Sequence, residues 1–68
     1  MNYDNLTPDQ AAVLTSHCEV DYECGNYIAF LWYNGQMLIE ERETVLSAVI
    51  AVHQKRDELS IDKADKSL

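Results

Sequence analysis

A strict alternation of apolar and acidic residues constrains the fold of this chain more than any other feature. From Cys18 to Cys24, every second residue is apolar and each residue between is Glu or Asp. Successive side chains of a β-strand point to opposite faces, so this period of two is typical of a strand with one buried face. The chain therefore contains a sheet.

Two turn signals follow this strand and predict an antiparallel meander. Gly25-Asn26 has glycine first, as a type II′ hairpin turn prefers. Asn34-Gly35 is typical of a type I′ turn. Residues 27–33 form an aromatic and aliphatic run suited to a central strand. Residues 36–41 follow the second turn and are predicted to form the third strand.

A short helix is predicted before the sheet. Thr7 and Gln10 have the spacing of a capping box, in which each side chain bonds the backbone of the other residue. Pro8 fits the first helical position, where its missing N–H costs nothing. The helix is predicted to end near His17.

A second helix is predicted from the region 42–44 to about Leu59, with a wide apolar face. Its apolar residues cover an arc of about 200° at 100° per residue, roughly twice what a helix lying on one sheet needs. Residues 60–68 are predicted to be a flexible C-terminal tail because they carry mixed charge and few apolar groups. The apolar arc comprises Val45, Leu46, Ala48, Val49, Ile50, Val52 and Leu59.

The element order predicts a small α+β domain, α-β-β-β-α, over residues 1–59. The chain has 68 residues, of which 47% are hydrophobic, a composition that excludes intrinsic disorder. Double-stranded-RNA-binding domains share this order, but they use basic residues at the start of the last helix. This chain has Glu40-Glu41-Arg42-Glu43 there. The shared order therefore implies neither a family nor a function.

The charge is concentrated in the first three-fifths of the chain. The net charge is −7, and all of it arises before residue 42, where acids occur without any Lys or Arg. A field of this sign repels phosphates, so direct nucleic-acid binding is not expected. It attracts a basic protein surface and accelerates the encounter with it.

Both faces of the predicted sheet are largely apolar. If each turn contains two residues, Asp21 opposes Phe30, Phe30 opposes Ile39, and Glu19 opposes Trp32. The acids of the first strand then stand about 6.6 Å apart, near the roughly 7 Å between phosphates of one nucleic-acid strand. One face is predicted to combine Glu19, Asp21 and Glu23 with the stripe Ile28, Phe30, Trp32, Met37 and Ile39.

Two interpretations of this apolar surplus stay open. The helices could cover opposite faces of the sheet, so that the stripe is ordinary core. Alternatively, one sheet face or the second helix contacts a partner, because exposed apolar patches with aromatic residues mark interfaces. A homodimer would satisfy such a surface readily. The predicted contact residues are Glu19, Asp21, Glu23, Phe30, Trp32, Met37 and Ile39 of the sheet, with Val49 and Ile50 of the helix.

Four side chains are of the types that bind soft metals: His17, Cys18, Cys24 and His53. Structural zinc sites favour cysteines two to four residues apart on a tight turn. A strand would separate these two thiols by about 20 Å, too far for a disulfide. Neighbours in sequence such as His17 and Cys18 do not face each other as a catalytic pair requires. No metal, cofactor or enzymatic activity is predicted.

The sequence favours a small acidic macromolecule-binding protein. One form of this hypothesis is an inhibitor that imitates nucleic acid and occupies a basic, nucleic-acid-handling site on a partner protein. The alternative is a homo-oligomeric or antitoxin-like subunit that binds through the apolar face of the second helix. The N-terminus has no features of a signal peptide and no apolar run approaches a membrane span. A cytoplasmic location with reduced thiols is expected.

Overall fold

The fold is the predicted α-β-β-β-α arrangement, a small α+β domain. A computed structural model describes the backbone of residues 3–66 and the side chains of residues 3–60. The three strands form one antiparallel sheet in the order β1-β2-β3. The elements are α1 (Pro8–Ser16), β1 (Glu19–Glu23), β2 (Asn26–Tyr33), β3 (Gln36–Arg42) and α2 (Val45–Lys66).

Helix α1 begins as its sequence predicts. The backbone N–H of Gln10 donates to Thr7 Oγ1 at 3.1 Å, and that of Thr7 donates to Gln10 Oε1 at 2.9 Å. This reciprocal pair satisfies two N–H groups at the start of the helix. Pro8 occupies the first turn, and the helix ends with His17 as its C-cap. The predicted capping box is confirmed.

The first hairpin turn differs from the prediction. Its central residues are Cys24 and Gly25, both with positive φ (53° and 85°), and Glu23 pairs with Asn26. The predicted Gly25-Asn26 turn is therefore wrong by one residue. Positive φ at both central positions is the geometry of a type I′ turn, in which glycine fits second. This turn also leaves Asn26 in β2, where its side-chain amide donates to Glu41 Oε2 at 3.0 Å.

The shifted turn changes the register of the first hairpin by two residues. Glu19 opposes Phe30 rather than Trp32, and Asp21 opposes Ile28 rather than Phe30. Because two residues are one period of the sheet, every side chain keeps its predicted face. The second hairpin has the predicted register, with Phe30 opposite Ile39. The composition of the two faces is therefore confirmed, although the pairing across β1 and β2 is not.

The core lies on one face of the sheet only. Helix α2 packs across β2 and β3, and α1 packs against α2. Both helices contribute to a single core cluster with the same sheet face, so the interpretation that they cover opposite faces is wrong. The buried members of this cluster are Tyr3, Leu14, Ala29, Leu31, Leu38, Ala48, Val49 and Val52.

Helix α2 is longer than predicted. Thr44 caps its start, since the backbone N–H of Ser47 donates to Thr44 Oγ1 at 3.2 Å. The helix continues past the predicted end at Leu59 to Lys66, because no glycine or proline interrupts this segment. Residues 67 and 68 of the predicted tail lie outside the described residues. Within residues 3–66, neither helix combines the length and apolar character that a membrane span requires.

Candidate partner-binding face

The sheet face opposite the helices is open. Trp32 is 67% exposed, Ile39 48% and Met37 39%, whereas Ile28 and Phe30 are half-buried. No element of the described chain packs over these side chains in the manner of α2 on the other face. We call this surface the open face; it consists of Glu19, Asp21, Glu23, Asn26, Ile28, Phe30, Trp32, Met37, Ile39 and Glu41.

The alternation in the sequence produces this arrangement directly. Leu38 and Ile39 are neighbours in β3, yet Leu38 is buried under α2 and Ile39 points the other way. A strand turns successive side chains to opposite faces, and the helices cover only one of them. Contiguous apolar area rimmed by polar groups marks binding surfaces on small proteins.

The acids of β1 form the rim of the open face and lack cationic partners among the described side chains. The cations whose side chains are described, Arg42 of β3 with Lys55 and Arg56 of α2, pair elsewhere. Glu40 accepts from Arg42 at 2.9 Å and from Lys55 at 3.4 Å, and Asp57 accepts from Arg56 at 2.9 Å. The negative charge along β1 is therefore not neutralised by these three cations.

The two predicted contact residues of the helix are placed differently from those of the sheet. Val49 has none of its surface exposed and lies in the core. Ile50 is partly exposed and packs against the same core. Most of the apolar arc of α2 packs into the core, whereas Leu46 is 40% exposed. This corrects the expectation that Val49 lies on a free surface of the helix.

The two thiols lie at opposite ends of β1, as the strand prediction requires. Cys24 is exposed in the first hairpin turn, whereas Cys18 Sγ lies 3.5 Å from His53 Nε2. The ring of His17 is 6.1 Å from that of His53, centroid to centroid. Even so, no group of three or more His, Cys, Asp or Glu side chains in the described part of the chain is arranged to hold a metal ion.

The contact of Cys18 with His53 does not form a catalytic pair. His53 Nε2 is 3.0 Å from the carbonyl oxygen of Leu14, so this nitrogen carries the proton and donates to that oxygen. It cannot also accept the thiol proton. Burial raises the pKa of the Cys18 thiol, which opposes formation of a nucleophilic thiolate.

His53 is a fully buried histidine that sequence reasoning did not place in the core. Its side chain is completely enclosed, and its Nδ1 has no hydrogen-bond partner among the described residues. Burial lowers the pKa of His53, and the hydrogen bond to Leu14 only partly opposes this shift. The available signal was its spacing: His53 lies four residues after Val49, on the apolar arc of the helix.

A second unpredicted contact joins the two ends of the chain. The hydroxyl of Tyr3 donates to Asp57 Oδ2. Burial and then this hydrogen bond raise the pKa of Tyr3 to about 12. Burial opposes ionisation of Asp57, but the hydrogen bonds from Tyr3 and Arg56 outweigh it and lower the pKa of that carboxyl. No local pattern predicts a contact between residues 54 positions apart.

Comparison with known proteins does not assign the chain to a family. No protein-family model, curated protein or solved structure matches it.

Proposed function

We propose that this chain is a small acidic binding protein whose open face engages a basic surface on a partner protein. The observation that carries the proposal is the apolar stripe of β2 and β3, left uncovered beside three acids of β1. Apolar contact supplies affinity at such a surface, and the charged rim supplies orientation and rate of encounter. The proposed action is binding, without catalysis, in the cytoplasm.

Charge complementarity favours a basic partner over a second copy of the chain. The net charge of −7 makes two copies repel one another, and β1 holds its acids at the rim of the face that a dimer would bury. Like charges brought together at an interface cost several kcal/mol. A homodimer through the open face is therefore the second candidate, and its test is the oligomeric state.

The acidic row also supports an inhibitory form of the proposal. Glu19, Asp21 and Glu23 alternate along one strand face, so they repeat at about 6.6 Å. Phosphates of one nucleic-acid strand repeat at nearly the same distance, roughly 7 Å. A partner site that binds nucleic acid through Arg and Lys would accept this row in place of phosphates. Competition between nucleic acid and this protein for the captured partner tests that form.

The helix-mediated alternative receives less support. Of the two helix residues predicted to make that contact, Ile50 is partly exposed, whereas Val49 is enclosed in the core. A partner could reach it only by separating α2 from the sheet.

Neutralising the acidic row is expected to weaken partner binding by about 10- to 100-fold. The test uses the partner captured from the native cell, then purified and titrated by calorimetry at several salt concentrations. The variant is E19Q/D21N/E23Q, because each rim charge is worth about 0.5–1 kcal/mol and 1.4 kcal/mol is tenfold. Its control, D9N/E43Q/E58Q, removes the same charge from other exposed acids.

Both triple variants have the same net charge, so a difference in their affinity reports the position of the acids that were neutralised. If both triple variants bind equally and salt has no effect, the acidic row does not contact the partner. Light scattering of the protein alone, at the same concentrations, reports whether a second copy occupies the open face instead.

A further inference from the structure

A pocket lies at one end of the open face, where β2 extends beyond the first residue of β1. β1 begins at Glu19, opposite Phe30, whereas β2 continues to Tyr33. Ser16 at the end of α1, with His17 and Cys18 of the linker to β1, lines the pocket beside this free length of β2. The resulting indentation has a volume of about 220 Å³.

The side chains that line the pocket include aromatic rings, a thioether and a carboxylate. The side chain of Trp32 is largely exposed, and Met37 lies opposite it across β2 and β3. Phe30 continues the apolar wall, and Glu19 contributes a carboxylate that forms no ion pair with the described cations. Glu19 and Trp32 are diagonal neighbours on one face, at about 7–8 Å between backbones, within reach of their side chains.

Resting on the proposed function, we infer that this pocket receives one arginine side chain of the basic partner. The guanidinium stacks on the indole of Trp32 and is paired with the carboxylate of Glu19. The methylene groups of the arginine contact Met37 and Phe30.

Arginine fits this lining better than lysine. A guanidinium is planar, so it stacks on an aromatic face and offers paired donors to a carboxylate at the same time. An ammonium is a compact, strongly hydrated charge that gains less from both contacts. The apolar stem of arginine can lie along Phe30 and Met37 while its head group reaches Glu19. Ser16 and His17 complete the polar side of the pocket.

The test titrates three small probes into the isotopically labelled protein and follows backbone and indole N–H signals by NMR. The probes are the N-acetyl, C-methylamide derivatives of arginine, lysine and citrulline. Citrulline keeps the planar shape and lacks the charge. The arginine probe is expected to shift the indole signal of Trp32 and the amide of Glu19, and to bind about two- to fivefold more tightly than either other probe.

Matched variants of β1 decide whether the pocket or the general negative charge binds the probe. E19Q should weaken the arginine probe about two- to fivefold. E23Q should not, since Glu23 lies on the same strand and face, about 13 Å away. W32L should remove the preference for arginine over lysine.

Equal effects of E19Q and E23Q, or equal binding of the arginine and lysine probes, would overturn the inference. Loss of partner binding in the triple variant E19Q/D21N/E23Q, together with an unselective pocket, would reject the arginine site and leave the proposed function standing.

Discussion

Leu38→Asp is expected to unfold the domain, whereas Ile39→Asp is expected to leave it folded. The two residues are adjacent in β3, but Leu38 is 4% exposed beneath α2 and Ile39 is 48% exposed on the open face. A domain of this length has a total stability of roughly 3–10 kcal/mol. Truncating a buried leucine alone costs about 2–5 kcal/mol, and an unpaired buried carboxylate costs more.

Ile39→Asp is expected to lower the free energy of unfolding by about 1 kcal/mol, because aspartate is less favourable than isoleucine in a strand. Circular dichroism and urea unfolding of both variants measure the contrast. The same Ile39 variant should lose partner binding, because the substitution places a charge in the centre of the apolar stripe. Unfolding of both variants to the same degree would mean that both faces of the sheet are packed.

Lowering the pH from 7.5 to 5 is expected to destabilise the wild-type domain through His53. Burial lowers the pKa of this imidazole in the folded state, so it stays neutral there while the unfolded chain takes up a proton near pH 6.5. The unfolded state then binds more protons than the folded state, and stability falls as the pH falls. For one proton, the slope reaches at most about 1.4 kcal/mol per pH unit.

The variant His53→Gln tests this origin of the pH dependence. Glutamine can still donate a hydrogen bond to the Leu14 carbonyl and does not titrate. Urea unfolding between pH 7.5 and 5 should therefore show a much smaller slope for His53→Gln than for the wild type. His17→Asn is the comparison variant: it removes an exposed histidine whose ring lies 6.1 Å from that of His53, and because burial is the main cause of the lowered His53 pKa, most of the slope should remain.

Asp57 and Tyr3 also have shifted pKa values, but both groups titrate outside the range of pH 5 to 7.5. Asp57 has a lowered pKa, so its contribution is lost only below its ordinary value of 3.8. The raised pKa of Tyr3 changes stability only between pH 10 and about pH 12. A wild-type slope that persists in His53→Gln would assign the effect to some other group.

The sequence predicted the fold because its signals are local. The capping box of Thr7, the alternation of residues 18–24 and the Asn34-Gly35 turn each involve residues a few positions apart. The first turn was misplaced because Gly25 fits either turn type: glycine is favoured first in a type II′ turn and second in a type I′ turn, and the turn that forms is Cys24-Gly25. The dipeptide Gly25-Asn26 alone does not show which of the two turns forms.

The open face was only partly predictable. Period two assigns each residue to a face, but the position of α1 and α2 decides which face is covered. That choice depends on tertiary contacts such as Tyr3 with Asp57 and His53 with the Leu14 carbonyl. Val49 is core because it belongs to the cluster in which α2 packs on β2 and β3.

Acrylamide quenching of Trp32 fluorescence most directly tests whether one face of the sheet is uncovered. The chain has a single tryptophan, so the signal reports on the open face alone. We predict that Trp32 in the folded protein is quenched nearly as efficiently as in urea, at every protein concentration in a dilution series. A blue-shifted, protected Trp32 that persists at the lowest concentration would show that the protein itself covers this face, and would contradict the account.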